Sequence, residues 1–146
     1  MTASNEKPAA TGGCLCGAVR YEIHGPIRDV VNCHCSKCRR FHGNVGAYTR
    51  VSRKDLVLTK DEGLKWFRST TDETPNVHRG FCSECGSSLF WDPRDMDSLA
   101  VSAGSLDEPI GLKTLGHIWL SQAGDYYSLS DGLEKFSQGW GSEPMP

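Results

Sequence analysis

The chain has 146 residues, 38% of them hydrophobic and 23% charged, with 16 glycines. That length suits one domain with a real core and is too short to expect two, and the glycine content points to many turns. A formal charge of −2 leaves no basic footprint for nucleic acid, and no run approaches the roughly 20 apolar residues of a membrane span.

Residues 1–11 are polar and contain Pro8, so they are expected to form a disordered leader ahead of a domain over 12–138. They carry no signal-peptide pattern, and a cytoplasmic, reducing setting is the expectation. The first strand is predicted at 18–23, where Val19, Tyr21 and Ile23 alternate with polar residues before Gly25 and Pro26 stop the run. Further strands are predicted at 28–32, 45–51, 56–60, 64–69, 76–81, 87–91, 98–104 and 114–120, most of them bounded by Gly, Pro, Asp or Asn. Trp66, Phe67, Phe90 and Trp91 read as core aromatics of those strands. Helical signals are few. Residues 36–42 suit a turn or two of helix, with Ser36 as N-cap and Gly43 as terminator. A second short turn is predicted from Gly132 to Phe136, and 139–146 reads as a flexible tail. The pattern as a whole predicts a mainly β fold of short antiparallel strands.

The seven cysteines fall in three clusters: Cys14 with Cys16, Cys33 with Cys35 and Cys38, and Cys82 with Cys85. An odd count argues against a complete set of disulfides. The first and last pairs together suit a closed tetrahedral zinc site. Gly12, Gly13 and Gly17 around one pair, and Gly86 after the other, let the backbone bend so that the sulfurs converge. Zinc bound there would join the first strand to the second half of the domain, and structural zinc sites contribute on the order of 10 kcal/mol to folding.

The middle cluster offers three sulfurs within six residues and needs a fourth ligand from elsewhere. His34, between two ligands, is expected to turn away, and His42, one helical turn beyond Cys38, is within range. His24, His78 and His117 are remote in sequence. Three readings stand: a closed site of three cysteines and one histidine, a zinc with an open position, or no metal at all. Three thiolates make zinc a weak Lewis acid, poorly suited to generating hydroxide but well suited to taking a soft fourth ligand such as an incoming thiol. Coordination strips that thiol of its proton and leaves a nucleophilic sulfur. The chemistry expected of an open site is thiolate delivery to an electrophilic carbon, or the reverse carbon–sulfur cleavage.

The stretches 13–21, 33–40 and 81–87, with all seven cysteines in order and spacing, resemble the glutathione-dependent formaldehyde-activating enzyme family, which includes the centromere protein V domain. The resemblance runs from about Gly12 to the segment 116–119. It implies a β-rich fold of several small sheets and two zinc ions per chain. One would be structural, on Cys14, Cys16, Cys82 and Cys85; the other would be catalytic, on Cys33, Cys35 and Cys38. It also implies a carbon–sulfur lyase that joins glutathione and formaldehyde into S-hydroxymethylglutathione, so the expected partners are a small thiol and a small carbonyl compound.

Other residues have two readings each. Lys37, Arg39 and Arg40 form a local basic patch; Arg39 or Arg40 would pair with a substrate carboxylate, or both would simply be solvated. His117 and Trp119 alternate in a predicted strand, so both would face one pocket, with His117 moving the proton of a bound thiol, or both would pack. Asp125, Tyr126 and Tyr127 follow Gly124 in a loop with no assigned role. No Ser-His-Asp set, phosphate loop or dinucleotide fingerprint is present. Rival functions are a non-catalytic zinc module for protein contacts and a redox sensor that releases zinc on oxidation.

Overall fold

A computed structural model describes residues 7–69 and 74–146. Residues 1–6 of the expected leader lie outside them. The described chain is mainly β, with eleven strands and one α-helix among those residues. Three strands form a small antiparallel sheet: β1 (Ala10–Gly13), β2 (Arg20–Ile23) and β5 (Leu56–Lys60), in the order β1-β2-β5.

The other eight strands form one long sheet. They are β3 (Val30–Cys33), β4 (Gly46–Ser52), β6 (Leu64–Ser69), β7 (Val77–Cys82), β8 (Ser88–Pro93), β9 (Ser98–Ser102), β10 (Thr114–Ile118) and β11 (Glu134–Lys135). Their order is β11-β10-β3-β4-β9-β8-β7-β6. The sheet is mixed: β10 runs parallel to both β3 and β11, and the other pairs are antiparallel. The expected mainly β fold is found; its strands form two sheets, and the larger one includes parallel pairs. The segment between β4 and β10 is long enough to carry the chain back to the edge of β3 in the same direction.

The period of two along each strand gives the large sheet two distinct faces. On one, Val51, Phe90, Leu99 and Val101 pack against Tyr21 and Ile23 of the small sheet and Val19 just before it, and Leu89, at the β7–β8 bulge, joins the same core. Tyr21 meets Phe90 edge-on at 5.4 Å, and Trp66 stacks on Phe90 at 5.9 Å. Of the four aromatics expected in the core, Phe67 is instead 57% exposed, because it stands opposite Arg79 on the other face. That second face carries Val31, Tyr48, Arg50, Ala100, Trp91 and Arg79, aligned by register across β3, β4, β9, β8 and β7.

The helix α1 (Ser36–His42) follows β3 directly. Its N-cap is Cys35, not Ser36: the Cys35 sulfur accepts a hydrogen bond from the Cys38 amide. Gly43 ends the helix in the left-handed region, as its sequence position predicts.

The chain ends also depart from expectation. Ala10 and Thr11, assigned to the leader, are strand residues paired with Ile23 and Glu22. The segment 139–146, expected to be loose, folds back on β11: Ser137 and Met145 donate to Glu143 and Lys135 carbonyls at 2.9 Å, and Trp140 packs on Phe136 at 4.7 Å. The predicted turn at 132–136 holds β11 itself. Among the described residues no helix is long and apolar enough to cross a membrane.

Candidate metal centres and the cavity beside them

Cys14, Cys16, Cys82 and Cys85 converge, with all four sulfurs within 4.8 Å of one another. Two of the edges, Cys14 to Cys16 at 3.7 Å and Cys16 to Cys82 at 3.8 Å, match a zinc tetrahedron, whose sulfurs lie about 3.8 Å apart at the usual Zn–S length. Amides already point at them: Val19 N–H donates to Cys14 Sγ at 3.2 Å and Glu84 N–H to Cys82 Sγ at 3.4 Å. Donors of this kind stabilise thiolates. Gly63 packs so closely that a Cβ there would stand 2.9 Å from Cys82 Sγ. The donor set, spacing and amide cradle fit zinc.

Cys33, Cys35 and Cys38 form the second cluster, likewise within 4.8 Å. Cys33 ends β3, and Cys35 and Cys38 belong to the cap and first turn of α1, so the strand-to-helix corner brings the sulfurs together. The three compete for charge. Hydrogen bonding to Cys35 and Cys38 pushes the Cys33 thiol far up. Cys35 is pulled down to about 2 by hydrogen bonds from Cys33 and Cys38, helped by the Cys38 and Lys37 amides. Three thiolates so close need a cation among them, and the set fits a zinc ion. One protein cation stands beside it: the Arg79 side chain, buried at 3% exposure, points Nη1 at Cys38 Sγ across 3.7 Å.

Among the described residues no fourth His, Cys, Asp or Glu joins the three sulfurs at that spacing. His42 Nε2 is bonded to the Tyr48 hydroxyl, and burial, then the charge of Arg79, holds its pKa at about 4. His34 turns away, as its place between two ligands predicts. Its Nδ1 meets the Tyr127 hydroxyl and its Nε2 lies 2.9 Å from His117 Nδ1. His117 Nε2 in turn reaches Asp131 at 2.7 Å. Sequence reasoning missed this chain of four side chains, for which periodicity carries no signal.

The three sulfurs line a cavity of about 510 Å³ on the second face of the large sheet. Lys37, Tyr48, Arg79, Trp91 and Trp119 share its wall, together with Arg28, Arg50 and Trp140. Of the predicted basic patch only Lys37 lines it. Arg40 is exposed and faces a separate depression with Phe41 and Phe67. Arg39 is half-buried, with its Nε unpartnered, and lies outside the cavity wall. His117 does not line the cavity wall either. Trp119 adopts φ 59°, in the left-handed region, which breaks the strand alternation; Trp119 faces the cavity while His117 is buried behind it against His34. Besides Lys37, the cationic groups that line the cavity are Arg28, Arg50 and Arg79, all outside the 33–38 cysteine loop.

Residues 9–122 match the family model described as "Glutathione-dependent formaldehyde-activating enzyme". A Halomonas elongata protein named "Putative glutathione-dependent formaldehyde-activating enzyme" is 33% identical over 104 residues, which cover 68% of this chain and 66% of the relative. The match thus spans just under two thirds of that relative's length. A crystal structure of a Rhodobacter sphaeroides protein superposes with a TM-score of 0.55 at 26% identity, over 71% of this chain and 97% of that one.

Proposed function

The chain belongs to the glutathione-dependent formaldehyde-activating enzyme family, and from that premise we propose that its middle cysteine loop joins glutathione, or a similar small thiol, to formaldehyde or another small carbonyl compound, or releases it. The reaction is that of a carbon–sulfur lyase. In the forward direction the thiolate sulfur forms a bond to the carbonyl carbon, the C=O π electrons move to oxygen, and that oxygen takes up the proton lost by the thiol. Nothing is oxidised or reduced.

The observation that carries the reading is the position of Cys33, Cys35 and Cys38 on the wall of a cavity, with no fourth ligand beside them among the described residues. Zinc held by these three sulfurs would accept a thiol as its fourth ligand and keep it ionised at neutral pH. Around that position the protein's own groups divide the remaining tasks. Arg79 offsets the excess negative charge of the cysteines at 3.7 Å from Cys38. The Cys38 amide holds the Cys35 sulfur in place at 3.3 Å. Tyr48, fixed by His42, and the indoles of Trp91 and Trp119 give the cavity wall its aromatic surface. Cys14, Cys16, Cys82 and Cys85 would hold the second zinc and act only on the fold.

Cobalt substitution tests the reading. Glutathione is expected to shift the thiolate-to-cobalt bands of the middle site in the fully loaded protein. Bands that stay put at saturating glutathione would remove the thiol-delivery role.

A further inference from the structure

We propose that Arg28 and Arg50 form a carboxylate clamp in the cavity, and that it selects thiols bearing a terminal carboxylate. The inference rests on the reading of the middle loop as the thiol site and names what that site chooses.

Both arginines line the same cavity as the cysteines. Main-chain pairing holds them together: the Arg28 amide donates to the Arg50 carbonyl at 3.1 Å. Arg28 spends Nε on the Asp29 carbonyl and Nη2 on the Tyr48 carbonyl, at 3.1 and 3.0 Å. Arg50 spends Nη1 on the Ser98 hydroxyl at 3.0 Å and lies over Trp91, 5.7 Å from the ring centre. None of these partners is anionic. Arg20 and Arg53, by contrast, are paired with Asp107 and Asp92. Among the described residues neither Arg28 nor Arg50 meets a carboxylate. Partial burial depresses the pKa of both, and the charge of Arg50 depresses that of Arg28 further. Two like charges on one cavity wall, each with donors unused, call for an anion from outside. A guanidinium fork suits a planar carboxylate, which accepts two parallel N–H bonds.

The register places the clamp relative to the sulfurs. Gly46 stands opposite Cys33, and Arg50 is four residues further along β4 on the face shared with Tyr48. Four strand residues cover about 13 Å. A small carbonyl compound reacting at the sulfurs does not reach that far. An extended tripeptide spans about 10 Å, and the arginine side chains cover the remainder. The carboxylate therefore belongs to the thiol partner, whose apolar stem would lie along Trp91.

The test titrates cobalt-substituted holoprotein with glutathione, with glutathione diester and with cysteamine, in wild type, Arg28→Gln and Arg50→Gln. Glutathione is expected to bind the wild type about tenfold more tightly than the diester, the loss typical of a charge-assisted hydrogen bond. Either substitution should weaken glutathione by a similar factor and leave the diester unchanged. Equal binding of glutathione and diester to wild type, with the cobalt bands still shifting, would overturn the clamp and keep the thiol site. Equal weakening of both ligands in the two variants would likewise overturn it, as a structural loss. A spectrum untouched by any thiol removes both readings. In a second arm, with cysteamine as thiol, a preference for a carboxylated aldehyde over formaldehyde that disappears in Arg50→Gln would move the clamp to the carbonyl partner and overturn its assignment to the thiol.

Discussion

Arg79 Nη1 lies 3.7 Å from Cys38 Sγ, so a buried cation from β7 stands against a sulfur from α1, 41 residues earlier in the chain. The guanidinium also sits over Phe41, 5.5 Å from its ring centre. Three thiolates and one zinc leave a net negative charge in a mostly apolar setting, and Arg79 offsets it. Replacing Arg79 by Gln is expected to weaken zinc at the middle loop by about 10- to 100-fold, the usual range for groups that touch metal ligands without binding the metal. The four-cysteine site should keep its affinity. Chelator competition on the two-zinc protein measures both, and an unchanged middle-site constant would refute the role.

Cys38→Ser and Cys82→Ser are expected to fail in different ways. Cys38 belongs to a cluster held by one strand-to-helix corner, so its loss should abolish thiol binding and leave a folded protein with one zinc. Cys82 is fully buried and joins sulfurs 66 residues apart at 3.8 Å, so its loss removes a cross-link worth on the order of 10 kcal/mol. Circular dichroism and zinc analysis on both variants decide the matter; the reverse pattern would reverse the roles.

Gly63→Ala should act as a small wedge against the structural site. The added methyl would meet Cys82 Sγ and Ala18 Cβ, both at 2.9 Å, and overpacking of this kind costs about 1–3 kcal/mol. Urea denaturation with zinc in excess is expected to show that loss, whereas no change would mean that β6 yields freely.

The fold should weaken in acid partly through His42. Burial, followed by the charge of Arg79, lowers its pKa from 6.5 to about 4. Above pH 6.5 the histidine is neutral in both states and costs nothing. Below it, the unfolded chain takes up a proton that the folded chain refuses, so stability falls as pH drops from 6.5 toward 4, by up to about 1.4 kcal/mol per unit. His42→Gln, which retains a polar group beside Tyr48, should show a shallower decline than wild type between pH 7 and 5 at fixed zinc. Parallel curves would count against a buried, neutral His42.

The two metal clusters were legible because cysteine spacing is a local property. Two or three sulfurs within six residues meet whatever the rest of the chain does, provided that glycines or a helix turn permit it. The strands were legible for a similar reason, since alternation of Val19, Tyr21 and Ile23 needs only a two-sided sheet. The N-cap was not: Ser36 has the favoured side chain, but Cys35 occupies the capping position once its sulfur is turned toward the Cys38 amide. His117 and Trp119 were read as sharing a face, which held only while the strand stayed regular; the left-handed backbone at Trp119 separates them. Arg39 and Arg40, close to the ligands in sequence, fall outside the cavity, because a helix turns neighbouring residues to different sides.

What the sequence determined by itself was a mainly β domain with close-spaced cysteine pairs and a three-cysteine loop of metal-binding type, since these follow from patterns confined to a few residues. The meeting of Cys14 and Cys16 with Cys82 and Cys85 is made by the fold. Only the tertiary structure decided which cations serve the cavity. Arg50 and Arg79 are brought to one face by strand register and Arg28 by its main-chain bond to Arg50, and register is set by pairing between segments that lie far apart in the chain. No local pattern encodes it.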